Sequence, residues 1–242
     1  MKGAIEVCAF PGQAELAPAL AAAVADRLRT AIAARGRAVL AVSGGSTPVP
    51  FFVALQREVL DWRRVTITLV DERWVNADHP DSNAALVQRY LLQGGAAGAQ
   101  FQPLKNGAAT AAAGCDAISS QVSALFPLDV AVLGMGTDGH TASWFPGASN
   151  LEQALDRDYP GSCVALQPAA GGHERLSLSL AAVLSAAQLY LHVSGSEKWT
   201  VLERALLPGP VADLPVRALL RQSERPLQVC YAVQDKPARD DA

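Results

Sequence analysis

Short apolar runs recur along this chain, each closed by glycine, serine or a charged cluster. Ile5 to Phe10, Arg37 to Val42, Val65 to Val70, Leu128 to Leu133, Leu189 to Val193 and Leu227 to Val233 have the length and composition of buried strands. Longer segments of helical character separate them. Ala14 to Ala34 reads as a helix stopped by Gly36. Thr47 can cap a helix with Pro48 at its first position, which carries Phe51, Phe52 and Leu55 inward. Asp81 or Ser82 caps a helix through Leu92. Further helices are expected from about Ala108 to Leu125, from Ala181, and from the 194–198 segment to Leu207. Cys163 to Leu166 and the alternating Arg175 to Leu180 add two strands. Strand and helix in alternation predict an α/β fold, a three-layer, mostly parallel sheet flanked by helices. No repeat or linker divides the chain, so residues 1–234 are expected to form one domain. The charged tail 235–242 is expected to be disordered.

This order of elements has a geometric consequence. Four strand ends carry polar or glycine-rich segments, at 43–48, 71–74, 134–140 and 194–198. In a parallel sheet all four open on one edge, beyond the carboxyl ends of the strands, where open α/β sheets bind ligands.

Composition narrows the classes. The chain has 242 residues, 50% hydrophobic and 18% charged, which is a globular balance with room for a substantial core. A net charge of −3 gives no overall pull toward nucleic acid or acidic membranes, so any anion must be held by local cations. Cysteines 8, 115, 163 and 230 form no C-x-x-C pair and no zinc spacing; free thiols in a reducing cytoplasm are expected. The apolar run from Leu16 to Ala25 is flanked by Glu15 and Asp26 and is too short for a membrane span.

The chemistry concentrates in Asp129-Val-Ala-Val-Leu-Gly-Met-Gly-Thr-Asp-Gly-His-Thr-Ala-Ser-Trp-Phe-Pro-Gly147. Glycines 134, 136 and 139 let the backbone turn beside a ligand, and His140 is the side chain suited to taking and giving a proton near neutral pH. The same glycines spell a dinucleotide fingerprint, but Pro146-Gly147 breaks the helix that fingerprint requires, and Asp156 and Asp158 follow no strand. Ser43-Gly44-Gly45-Ser46-Thr47 before a helix resembles an anion cradle, without the lysine of a Walker loop. Arg73 and Arg175 can fork onto a phosphate. Lys198, ordinarily a solvated residue at a helix start, gains weight from that company. Asp71 could be a base or could hold a neighbouring loop, and Glu72 is expected to point away from it. Of the four histidines, His79 reads as solvated and His192 as a satisfied core residue. No pair has the spacing of a catalytic metal site.

Val42 to Pro48, Val70 to Val75 with Asp81-Ser-Asn83, and Gly134 to Gly147 together resemble the 6-phosphogluconolactonase family. Arg175 to Leu180, Gly195-Ser-Glu-Lys198 and Leu214 to Leu220 fit it in order. The resemblance implies hydrolysis of 6-phospho-glucono-1,5-lactone in the oxidative pentose phosphate pathway, with no cofactor. A cytoplasmic monomer with no metal and no nucleic-acid or membrane partner is expected. The resemblance implies that His140 is the catalytic histidine, the general base for water; Asp138 beside it can orient the imidazole or bind sugar hydroxyls, and Asp71 is the third candidate catalytic residue. The resemblance also implies that Arg73, Arg175 and Lys198 take the phosphate. Ser43, Gly44, Gly45 and Ser46 are expected to bind substrate, with the Gly44 and Gly45 amides, or those of the 134–139 loop, as candidate oxyanion donors. Asn76, and Ala181-Ala182, depart from the family pattern in loops. The related glucosamine-6-phosphate deaminases carry an acid before the proline of this loop, where the present chain has Ser143-Trp-Phe-Pro146. A non-catalytic sugar-phosphate sensor is the remaining alternative.

Overall fold

A computed structural model describes residues 5–234; the expected disordered tail lies outside them. The chain runs through β1 (Glu6–Gly12), α1 (Gln13–Arg35), β2 (Ala38–Val42), α2 (Val49–Leu55), β3 (Val65–Leu69) and β4 (Asp71–Arg73). It continues through α3 (Asn83–Tyr90), β5 (Gln100–Gln102), α4 (Ala111–Ser123), β6 (Val130–Gly134), α5 (Leu151–Leu155), β7 (Cys163–Leu166) and β8 (Arg175–Leu178). α6 (Leu180–Val183), β9 (Gln188–Ser194), α7 (Ser196–Leu206), α8 (Arg217–Leu220) and β10 (Leu227–Gln234) complete it. Seven strands form one parallel sheet in the order β1-β10-β9-β6-β2-β3-β5. Helices cover both faces, which is why every residue of β2 and of β9 is buried.

α1 illustrates the packing. Leu16, Leu20, Val24 and Leu28 recur every four residues on its buried face, with Ala17, Ala21 and Ala25 beside them. Gly36 then stops the helix in the left-handed conformation, as the sequence predicts, and its amide reaches Ile32 O at 2.8 Å. At the amino end of β6, the buried Asp129 carboxylate accepts the Val39 amide at 2.8 Å and pairs with Arg35. This clasp locks β6 beside β2 at the end of the sheet remote from the glycine-rich loops.

Two expectations need correction. Asp71-Glu72-Arg73 is not a loop: it forms β4, which pairs antiparallel with β8, and β8 pairs antiparallel with β7 in a second, three-stranded sheet. Three charged residues carry no apolar alternation, so only the distant partner strand reveals them as a strand. α2 begins later than expected, with Pro48 as its cap, and Thr47 belongs to the preceding turn. Of the two expected caps of α3, the chain uses Ser82, whose hydroxyl accepts the Ala85 amide at 3.1 Å. α5 and α8, of five and four residues, are too short to leave a periodic signal in the sequence. Among the described residues no helix is long and apolar enough to cross a membrane.

Candidate active site

The four predicted segments meet. Ser43, Gly44, Gly45 and Ser46 after β2, Asp71 and Arg73 after β3, Gly134, Met135, Gly136 and His140 at the end of β6, and Lys198 after β9 all line one cleft, joined by Arg175 from β8; Asp138 stands behind His140. The parallel direction of β2, β3, β6 and β9 puts their carboxyl ends on that edge.

The loop after β6 is tied to itself. The Gly136 amide donates to His140 O at 2.9 Å, the Gly139 amide to Gly136 O at 3.1 Å, and the Thr141 hydroxyl to Gly134 O at 2.8 Å. Asp138 Oδ1 accepts the His140 amide at 3.1 Å and lies 2.5 Å from His140 Nδ1. A neutral imidazole in this contact places its proton on Nδ1, so Nε2 is the nitrogen left to accept another. Gly136 is required here: a Cβ would stand 2.2 Å from the imidazole and 2.6 Å from Asp138 Oδ1. Burial alone would raise the Asp138 carboxyl, but the hydrogen bond and charge of His140 outweigh it and hold the group below the ordinary carboxylate range. The Phe145 ring lies 4.2 Å from the imidazole.

A rigid support stands behind this loop. Asp71 is buried, and its Oδ2 accepts the Ser143 hydroxyl at 2.5 Å. Trp144 is fully buried and donates from Nε1 to Leu178 O at 2.9 Å. Between His140 and Ser143, Ala142 takes φ 50°, a left-handed conformation that a non-glycine residue keeps only when its surroundings fix it. Glu72 points the other way, as expected, and has a structural task. It accepts the amides of Arg73, Asn83 and Ala84 at 2.8 Å each and the Ser82 hydroxyl at 3.2 Å, so it caps α3 from another strand.

Arg73 and Arg175 are register partners across β4 and β8. Both Nε atoms are buried and have no hydrogen-bond partner, and among the described residues neither guanidinium forms a salt bridge. Arg73 Nη1 donates to Asp81 O at 2.7 Å, and the Arg175 guanidinium lies over the Phe145 ring, 5.5 Å from its centroid. Burial and then the neighbouring charge of Arg73 lower the Arg175 pKa. Two adjacent half-buried cations, each with an idle buried Nε donor, make a site for an anion. Lys198 Nζ reaches Thr47 Oγ1 at 3.3 Å, which joins the segment after β9 to the segment after β2. Gly44 makes that second segment fit, because a Cβ there would stand 1.8 Å from Asn83 Oδ1. The Asn83 amide group in turn donates to Asp71 O at 2.8 Å.

Two residues in or beside this cleft escaped sequence reasoning. His192, read as a satisfied core residue, is only half satisfied. Its Nε2 sits 3.2 Å from the Gln13 side chain, its buried Nδ1 has no partner, and it lines the cleft. Burial, followed by the charge of Lys198, lowers its pKa to about 4, so it is neutral at physiological pH. Its apolar strand neighbours hid it. Asn83, which the sequence presents only as the end of the Asp81-Ser-Asn83 motif, carries the contact between the 43–48 segment and β4.

The class follows from this fold and cleft. The sequence profile of the glucosamine-6-phosphate isomerase/6-phosphogluconolactonase family matches residues 11–228, and the chain belongs to that family. Within it, the chain is 49% identical to the 6-phosphogluconolactonase of Rhizobium meliloti over 92% of this chain and 97% of that one. It is 48% identical to the 6-phosphogluconolactonase of Mesorhizobium japonicum over 93% and 94%. The crystal structure of a 6-phosphogluconolactonase from Shewanella baltica superposes with a TM-score of 0.93 at 43% identity, covering 96% of this chain and all of the other.

Proposed function

We propose that this protein hydrolyses 6-phospho-D-glucono-1,5-lactone to 6-phospho-D-gluconate, the lactone-opening step of the oxidative pentose phosphate pathway. The observation that carries this reading is the pairing, in one cleft, of His140, held by Asp138, with two half-buried arginines whose buried Nε donors are idle. A phosphorylated ester needs both features, and the relatives bear the corresponding name. Arg73, Arg175 and Lys198 hold the 6-phosphate and so fix C1 against His140. His140 Nε2 takes a proton from water as it attacks C1, and returns it to the ring oxygen as the C1–O bond breaks. Asp138 holds the tautomer and stabilises the imidazolium between these steps. Asp71 holds the loop through Ser143. Its carboxylate is engaged there, which makes it a support for the site and not the base. The Gly136 and Gly139 amides are engaged within their own loop, so Gly44 and Gly45 are the donors assigned to the developing oxyanion.

The test uses freshly prepared lactone, with spontaneous opening subtracted at each pH. The wild type should accelerate opening, with activity falling on the acid side as the imidazole is protonated. His140→Asn should bind phosphogluconate nearly normally yet lose roughly 10²–10⁴-fold in turnover, the usual scale of acid–base catalysis. Near-normal turnover in that variant would make His140 structural. Ammonia release from glucosamine 6-phosphate would shift the substrate to that of the related deaminases.

A further inference from the structure

We propose that His79, Asp81 and His173 form an exchangeable binding site for a first-row divalent cation, zinc above all, on the rim of the cleft. Sequence spacing gives no sign of it, because the two histidines belong to different segments: His79 and Asp81 precede α3, and His173 precedes β8. The fold brings them together. One ligand atom from each residue lies within 4.8 Å of the other two. The imidazole centroids are 5.3 Å apart with their planes at 79°. Asp81 Oδ2 is 3.3 Å from His173 Nε2 and 3.9 Å from His79 Nδ1.

The protonation pattern suits a metal. His79 Nδ1 accepts the Asp81 amide at 3.1 Å, so this nitrogen presents a lone pair toward the cluster. A cation would take that lone pair in exchange for the amide bond. At His173 it would replace the proton shared between Nε2 and the Asp81 carboxylate. Two imidazoles and one carboxylate are the donor set of three-ligand zinc sites, with water completing a tetrahedron. Bond lengths of about 2.0–2.2 Å require the three groups to draw closer. Side-chain exposures of 39%, 55% and 43% leave them free to do so and leave the ion free to exchange. The consequence is mechanical: Arg73 donates to Asp81 O, and Arg175 follows His173 by two residues. An ion here would pin the Asp81 segment, to which Arg73 is hydrogen-bonded, to the segment that leads into Arg175. The site is distinct from the reacting atoms, and the lactonase chemistry above requires no ion.

The experiment titrates zinc alone into chelator-stripped full-length protein by calorimetry, with cobalt as a spectroscopic substitute. One ion per chain should bind, and cobalt should show the intense visible bands of a tetrahedral site. His79→Asn and His173→Asn should each weaken zinc by more than about tenfold, since even outer-shell partners contribute on that scale. Both variants should keep their metal-free activity and melting temperature. In the wild type, zinc should shift the imidazole NMR signals of His79 and His173 and leave that of His192 in place, a readout that does not depend on any variant folding. Undetectable zinc binding, unchanged affinity in the double variant, or shifts confined to other histidines would each overturn the site and leave a simple hydrogen-bonded cluster.

Discussion

At the scale of single residues, the arginine pair separates what a sequence can show from what it cannot. Arg73 and Arg175 are legible as candidate phosphate ligands, each beside a strand. Their pairing is not, because it depends on β4 and β8 meeting in a sheet that no local pattern announces. The idle Nε donors are likewise a property of the folded cleft. Their effect should depend on the substrate. Arg73→Ala or Arg175→Ala should cost about 2–5 kcal/mol in transition-state binding of the phosphorylated lactone, the scale for losing a desolvated charged contact. The loss should be much smaller for glucono-1,5-lactone, which has no phosphate. Comparing kcat/KM for the two lactones checks this, and equal losses would make the arginines part of the scaffold. The His140–Asp138 dyad was legible for a simpler reason: its partners are two residues apart on one glycine-rich turn, so proximity in sequence guarantees proximity in space.

Among the elements, β4 is the instructive case. Six of the seven parallel strands are legible from their apolar runs, and the four functional segments stand at strand ends; β5, Gln100–Gln102, has no apolar run to announce it. The second sheet was missed because Asp71-Glu72-Arg73 looks like a polar loop. Yet β4 anchors α3 through Glu72 as well as carrying Arg73. Burial raises the Glu72 carboxyl above its ordinary value, against the lowering effect of the Asn83, Ala84 and Arg73 amides. Its removal would strand those amides without acceptors. Glu72→Ala should therefore destabilise the fold by about 3 kcal/mol, with each orphaned buried N–H costing roughly 1–3 kcal/mol. It should also raise KM for the phosphorylated lactone, because Arg73 and Asp81 shift with the cap. Urea denaturation and substrate titration measure the two effects; a KM increase without destabilisation would show that Glu72 acts on substrate directly.

For the molecule as a whole, acid sensitivity is built into the centre of the sheet. His192 on β9 titrates at about 4 in the folded protein against an ordinary value of 6.5. On acidification the unfolded chain takes this proton first. The stabilising contribution is therefore complete above about pH 6.5 and is lost as the pH falls toward 4, amounting to about 3 kcal/mol over that window. His192→Gln, which stays polar but cannot titrate, should lose correspondingly less stability between pH 7 and 4. Parallel pH profiles for the two proteins would rule out this source. The same sheet has a further consequence in its strand order. β10, the last strand in the described chain, lies between β1 and β9, and β1 has no other neighbour in the sheet. During translation β1 must wait for β10 before it has a partner, so a nascent chain halted after α8 holds unpaired edges of β1 and β9 facing the same gap.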